Sequence, residues 1–581
     1  MKNHYYIIFA FLLSGILNIS CSNDYESVPL EKITIDFAFD KNDSIGSKAS
    51  WFLNDIYSKL PEGYNSIDGN LLDAATDDAI SIDEGVTTIS KLATGAYSSI
   101  NLISQDMKWA DYYAIIRATS IFVNNIDVVP VKDTLTSGLN AKYAWKSEAR
   151  FLRAYSYFEL IKRYGGVPLM GDKVRKLGEN VELPRSSFED CVNYIVSECD
   201  AIKDSIWTSP IEDPFINSHR PTVGTVLALK ARTLLYAASP LFNGGNIDPT
   251  NVLTGYTNTT PDLAYWKKAA DAAKELIDLN AYALIDSFQN VFTTQNNKEI
   301  IFFRQRGNNH GIEDANGPIG FMNNAHGNGK TNPTQELVDA FPMNNGKAIS
   351  DPSSGYNPAK PYINRDSRLR KTIIYNGCLW LSATIQTYIG GANNPIITSQ
   401  STTTTTTKTS YYMRKFMGNW EKSTQYGNVS HDWVSFRYAE VLLNYAEAEN
   451  EYAGPTESVY QALKDLRKRS KILAGTDNMY GLNSGLTQDE MREIIRNERR
   501  IELAFEEHRY WDIRRWKIAE QVCNKPLHGL RIIKTSGIFS YTTTEVFTPI
   551  FTEKMYLYPI IYSEVVKNSN MKQNPGWDIN K

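Results

Sequence analysis

ERRIELAFEEHRYWDIRRW, residues 498–516, carries five acids, five arginines, one histidine and four large aromatic residues in nineteen positions. Ile501, Ala504, Phe505, His508 and Trp511 recur at helical spacing, and Arg499/Glu502, Glu506/Arg509 and Asp512/Arg515 each stand three apart. On a helix, residues three or four apart share a face, so the stretch reads as one buried helix with paired polar flanks. Used as an acid–base site, Glu506, Glu507 and His508 would need a pocket that nothing else in the sequence builds. The packing reading is therefore preferred.

The same periodicity extends on both sides of this stretch. Trp145, Ala149, Leu152, Tyr155, Phe158 and Ile161 form a helical stripe that stops at Gly165-Gly166, and SSFEDCVNYIVSECDAIKDSI (186–206) follows behind a serine cap. TVGTVLALKARTLLYAAS (222–239) with AYWKKAADAAKELIDLNAYAL (264–284), and RYAEVLLNYAEAENEY (437–452) with ESVYQALKDLRKRSKI (457–472), make two further pairs. Alanines sit where two helices would approach closely, which is the logic of tetratricopeptide-type repeats. Residues 26–126 are read as helical around the acidic loop DGNLLDAATDDA (68–79), and residues 288–435 are rich in Gly, Asn, Pro and Thr, with short strand-like runs. Long loops on a rigid scaffold are where binding residues concentrate.

Composition excludes several classes of function. The 581 residues carry a formal charge of −4, and removing the first twenty, which hold Lys2 and no acid, makes it −5. Nucleic acid is not an expected partner. Lys2, the apolar run IIFAFLL (7–13) and Ser20-Cys21 read as a secretory signal over residues 1–20. Cys21 stands where a bacterial lipoprotein would be cleaved and acylated, and the polar, acidic SNDYE behind it is similar to a surface-export tag. Cys191 and Cys199, eight apart on one helix, lie ~12 Å apart along its axis, too far to bridge, and no metal-ligand or disulfide framework is visible. GNGKT (327–331) has Asn324 where a phosphate loop needs its first glycine, and neither G-x-S-x-G nor H-E-x-x-H occurs. No cofactor is expected. The acids at 68–84 leave open a structural calcium ion, although their spacing is not that of a helix-loop-helix site.

IRNERRIELAFEEHRYWDIRRWK (495–517) resembles the most recognisable segment of the SusD/RagB family of outer-membrane lipoproteins. WADYYAIIRATSIFVNNI (109–126), EARFLRAYSYFELIKRYGGVPL (148–169), TQELVDAFPMNNG (334–346) and YLYPIIYSEVVKNSNMKQNPGW (556–577) are similar to family segments in the same order. YPII replaces the usual Tyr-Pro-Ile-Pro, and LRKRSKI lacks the common Arg-Ala-Gly.

The resemblance implies a mainly α fold of about four tetratricopeptide-like helix pairs with a loop-rich region packed over them. It implies one domain over 21–581, with an N-terminal SusD-like segment at about 26–240 and a C-terminal SusD/RagB segment at about 290–581. It further implies a lipid-anchored outer-membrane protein exposed on the cell surface. Such a protein captures an oligosaccharide, has no enzymatic activity, and acts as the lid of a SusC-like TonB-dependent transporter. The alternatives are a RagB-like peptide-binding import lipoprotein, a helical-repeat scaffold that binds only proteins, or a surface glycan-degrading enzyme, which would need two carboxylates flanking a cleft. By the same resemblance the ligand residues are Asp77, Asp78, Tyr97 and Asn101 on one side and Phe321, Trp380 and Trp420 on the other. Trp380 follows an Asn376-Gly377 turn signal and alternates with Leu379 and Leu381, so its ring should point away from theirs, into a cleft or into core under the loops. Trp109, Trp433 and Trp511 are assigned to packing.

Overall fold

The computed structural model describes residues 34–131, 138–176, 178–179, 182–208, 220–295, 297–321, 327–396 and 406–578. The signal segment, Cys21 and part of the threonine run lie outside them. The helices that build the molecule are α1 (Ser47–Ser58), α2 (Thr88–Thr94), α3 (Trp109–Asn125), α4 (Ala141–Tyr164), α5 (Phe188–Ile202), α6 (Val223–Ala238), α7 (Leu263–Asp278), α8 (Tyr438–Ala453), α9 (Glu457–Arg469), α10 (Gln488–Glu502) and α11 (His508–Arg515). Among the described residues, none is long and apolar enough to cross a membrane.

Local chemistry sets the helix ends. Asn140 caps α4 by accepting from the Lys142 N–H at 2.9 Å, and Thr487 and Glu490 form a reciprocal capping box on α10. At the other end of α4, Gly165 turns the chain at φ 73°, and a Cβ there would meet the Leu253 carbonyl oxygen at 2.2 Å. From α3 to α8 each helix packs on the next, and α9 and α10 both pack on α8. The three pairs read from the sequence are present (α4/α5, α6/α7, α8/α9), with α3 and α10 completing the array. Ala238, Ala269, Ala270 and Ala448 bring α6, α7 and α8 together around Leu235 and Trp266. Trp109, Trp433 and Trp511 are buried, as their packing assignment requires.

The loop-rich region is inserted between α7 and α8. Its two ends are joined by antiparallel strands β2 (Ile300–Arg304) and β6 (Trp433–Arg437), with Trp433 opposite Arg304 and Arg437 opposite Ile300. Strand β1 (Ala79–Ser81) pairs with β3 (Thr331–Pro333) and ties the N-terminal segment to the same region. A small hairpin, β4 (Leu379–Trp380) with β5 (Ala383–Thr384), lies within it. The longest strands, β7 (Leu527–Thr535) and β8 (Ile538–Phe547), form a ribbon closed by Ser536 and Gly537, both at positive φ. That geometry matches the right-handed twist of a tight hairpin.

The stretch at 498–516 departs from the single helix expected of it. α10 ends at Glu502, Phe505 and Glu507 adopt left-handed backbone at φ 66° and 63°, and α11 starts afresh at His508. Of the three local ion pairs expected, Asp512–Arg515 forms at 2.8 Å. The other charges reach across the molecule. Glu502 is held by Arg368 (2.9 Å), Arg437 (2.7 Å) and Arg469, and Glu506 by Arg437 (2.7 Å) and Lys415 (2.6 Å). Arg499 reaches Asp512 at 2.7 Å, and Arg509 reaches Asp77 at 2.7 Å. All of these side chains are buried. The segment therefore joins helical scaffold, loop region and N-terminal segment through buried charge, which is stable only because each charge has partners.

Candidate functional site

A cavity of about 210 Å³ opens where the N-terminal segment, the loop region and the ribbon meet. Its apolar walls come from Ala74, Ile80, Ile89, Ala93, Val546 and the ring of Phe547, and its polar rim from Ser81, Asp83, Ser90 and Lys408. Strand β1 presents Ser81, and α2 presents Ile89, Ser90 and Ala93. The rim is fixed in place by its own bonds. The Lys408 ammonium donates to the Ser81 and Asp83 carbonyls at 3.1 and 2.7 Å, and Lys330 pairs with the Asp83 carboxylate at 2.7 Å. Burial lowers the pKa of Lys408 from its ordinary value. Ser90 and Thr87 close a capping box at the start of α2, which orients the Ser90 hydroxyl. The volume is below the ~300 Å³ at which drug-sized sites begin, so it suits a single ring with its polar substituents.

Towards its turn, at the end of β8 away from the cavity, the ribbon offers more aromatic surface. Phe539 and Tyr541 share the inward face of β8, opposite Lys534 and Ile532 of β7. Tyr388 lies 5.7 Å from the Phe539 ring, and the Lys534 ammonium stands 5.1 Å from the Tyr388 ring centre. All three rings are half-buried, so each keeps some accessible surface.

The structure separates the residues singled out by the sequence. Asp77 and Asp78 do not face a ligand; they are buried against Arg509 and Arg500, at 2.7 and 2.6 Å. Burial opposes charge on Asp77, but Arg500 and Arg509 outweigh it and hold its carboxyl well below the usual range. Tyr97 is buried too, stacked on Trp577 at 5.3 Å, whereas Asn101 is exposed in a turn closed by Ser98. Trp380 is fully buried and donates to the Tyr426 hydroxyl at 2.9 Å, and Trp420 is buried over the same tyrosine and donates to Glu313 at 2.9 Å. Neither indole offers a face to a ligand, which corrects the assignment of both as ligand residues. Phe321 is half-buried at the edge of the described residues.

Comparison with known proteins follows the same division of the chain. Residues 298–577 match the SusD family, and residues 44–235 match a family described as starch-binding and associating with the outer membrane. The chain belongs to the SusD/RagB family. SusD-like protein P2 of Formosa agariphila is 23% identical over 477 residues, covering 81% of this chain and 80% of that protein. Among solved structures, a SusD-like protein from Bacteroides fragilis is 26% identical with a TM-score of 0.73, over 94% of this chain and 100% of its own. A second SusD-like protein of that organism, described as carbohydrate-binding, is 24% identical with a TM-score of 0.71, over 91% and 99%. The surface glycan-binding protein A of Bacteroides fluxus is 18% identical with a TM-score of 0.59, over 91% and 99%. The mainly helical SusD-like fold is thus shared along nearly the whole length. Within this SusD/RagB fold, the sequence reading missed Phe547 and the ribbon aromatics. The signal was present: RIIKT and IFSYT flank Ser536-Gly537, which is a hairpin signature.

Proposed function

We propose that the chain is a surface glycan-binding protein that captures an oligosaccharide at the cavity beside Phe547 and delivers it to a SusC-like TonB-dependent transporter, whose lid it forms. One observation carries this reading: the cavity joins an apolar, partly aromatic wall to a rim of fixed hydroxyl, carboxylate and ammonium groups. A sugar ring has an apolar C–H face and a rim of hydroxyls, so it needs both kinds of surface in one place. The carbohydrate-binding and glycan-binding descriptions of the relatives from Bacteroides fragilis and Bacteroides fluxus support the same class of ligand. Anchoring through an acylated Cys21 and release of the chain by Cys21→Ala belong to the same proposal. The lid role predicts co-elution with a barrel-sized membrane protein after gentle extraction, across an interface above ~1,000 Å².

A glycan array probed with the mature chain identifies the ligand, and titration of the hits tests the site. Phe547→Ala and Asp83→Asn should each weaken the best hit at least ~10-fold, which is ~1.4 kcal/mol, without moving the melting temperature by more than a few degrees. Unchanged affinity in both variants, or an array without hits, overturns the reading.

A further inference from the structure

A second polar opening lies elsewhere in the fold, where the turn after α1 faces the start of α3. It is a cleft of about 690 Å³ whose rim includes Lys59, Glu62, Ser66, Gln105, Lys108 and Asp111. Glu62, Ser66, Gln105, Lys108 and Tyr112 also line a narrow shaft of about 50 Å³ that runs inward to Glu507, His508 and Trp511. Of the three side chains at its inner end, Glu507 lies in the break between α10 and α11, and His508 and Trp511 lie on the first turn of α11.

Most charges along the shaft are already matched. Glu159 is bonded by Lys162 (2.8 Å), Arg163 (2.6 Å) and the Tyr112 hydroxyl (3.1 Å), and Asp106 by Arg163 (2.7 Å) and Tyr558. Glu506 is held by Arg437 and Lys415. Three groups along the shaft have no hydrogen-bond or ion-pair partner among the described residues: the buried indole N–H of Trp511, the Glu507 carboxyl, which burial and then Asp106 push up to about 7, and the Lys108 ammonium, which also lines the outer cleft. Burial and then Arg499 hold His508 neutral; Arg499 donates to its Nδ1 at 3.2 Å, which leaves the Nε2 proton as a further donor. The backbone is strained at the same place, with Lys108 at φ 37° and Glu507 at φ 63°, and such strain persists where the surroundings over-determine it.

A lone acceptor beside lone donors selects the chemistry of what enters. An ammonium group brings only donors and would leave the indole N–H unmatched, whereas a carboxylate or phosphate brings only acceptors and, even paired with Lys108, would set its charge against that of Glu507. A hydroxyl both donates and accepts. The shaft has room for only a few water-sized groups. We propose that the cleft and shaft form a second ligand site for a neutral polyhydroxylated molecule, which seats one hydroxymethyl group between Glu507 and Trp511. This site shares with the proposed function only the class of ligand, because none of its residues lines the cavity beside Phe547.

Calorimetric titration of the mature chain with D-glucose, D-xylose and D-glucuronate tests it. Xylose lacks the exocyclic hydroxymethyl group, and glucuronate replaces it with a carboxylate. Glucose should bind at least ~10-fold tighter than either. Glu507→Met and Trp511→Phe should abolish the preference, and Glu507→Gln should retain it because the amide keeps an acceptor oxygen. Equal affinity for glucose and xylose, no binding of any of the three, or a preference that survives Glu507→Met in a variant with wild-type melting, overturns the proposal. Loss of glucose binding only in Phe547→Ala also overturns it while leaving the first site standing. An array without hits, beside a glucose preference that depends on Glu507, would do the reverse.

Discussion

Trp380 donates to Tyr426 and lies under the Arg414 guanidinium, 5.4 Å from its ring centre, so both its polar and its apolar surface are committed to the core. Trp380→Ala should therefore cost ~3–5 kcal/mol of stability in urea unfolding, as large-to-small core substitutions do, and should leave the affinity of the folded fraction for glycan unchanged. Alternation correctly sent its ring away from Leu379, which is 43% exposed, but failed for Leu381, which turns at φ 46° and is buried in the same core. What alternation cannot carry is which side of a strand is the core. Asp77 and Asp78 teach the same lesson for charge. Their acidity was plain in the sequence, but Arg500 and Arg509, which decide whether those carboxylates are free, lie more than four hundred residues away. Phe547 stands in the converse position, unremarkable in the chain and significant only where β1, α2 and the ribbon converge.

The elements themselves were largely legible. Helical stripes with serine, threonine and asparagine caps marked α4 to α9 because their spacing follows from local geometry alone. The break between α10 and α11 was not legible, since the apolar positions continue through it in helical phase. Long-range pairing overrides the local pattern there. Arg437, at the end of β6, bonds Glu299 (2.8 Å), Glu502 (2.7 Å) and Glu506 (2.7 Å), and so fixes the broken segment against the ends of the inserted region. Arg437→Met should cost about 3–5 kcal/mol, because three buried carboxylates lose a shared partner. Lys464→Ala, which removes a pair with the 81%-exposed Glu457, should change stability by less than ~1 kcal/mol. Comparable losses from the two variants, measured by denaturant midpoint at constant m-value, would show that the buried network does not hold the break.

Taken as a whole, the molecule binds most of its buried carboxylates to cations, and this sets how its stability must respond to pH. Glu159 and Glu447 are opposed by burial but drawn down to about 2, from an ordinary 4.5, by Lys162 with Arg163 and by Arg515 respectively. A carboxyl with a lower pKa folded than unfolded contributes its full stability above the unfolded value and loses it as pH falls towards the folded one. Stability should thus drop steeply between pH ~4.5 and 2, at up to ~1.4 kcal/mol per pH unit for each group. Asp73 works in the opposite direction. Burial, and then the charge of Asp78, push its carboxyl up to about 8, and its Oδ1 accepts from the Phe505 N–H at 2.9 Å. Keeping that group protonated favours the folded state at low pH. The advantage erodes as pH rises from ~4 to 8, where the unfolded chain has released the proton and the folded chain has not. Urea unfolding from pH 2 to 9 should therefore show a maximum near pH 4–5 with a shallower decline on its alkaline side. Asp73→Asn keeps the acceptor to Phe505 and has no proton to release, so it should flatten that decline and leave the acid limb in place. An alkaline slope identical to that of the wild type would mean that Asp73 is ionised in the folded protein and that the fold accommodates its charge.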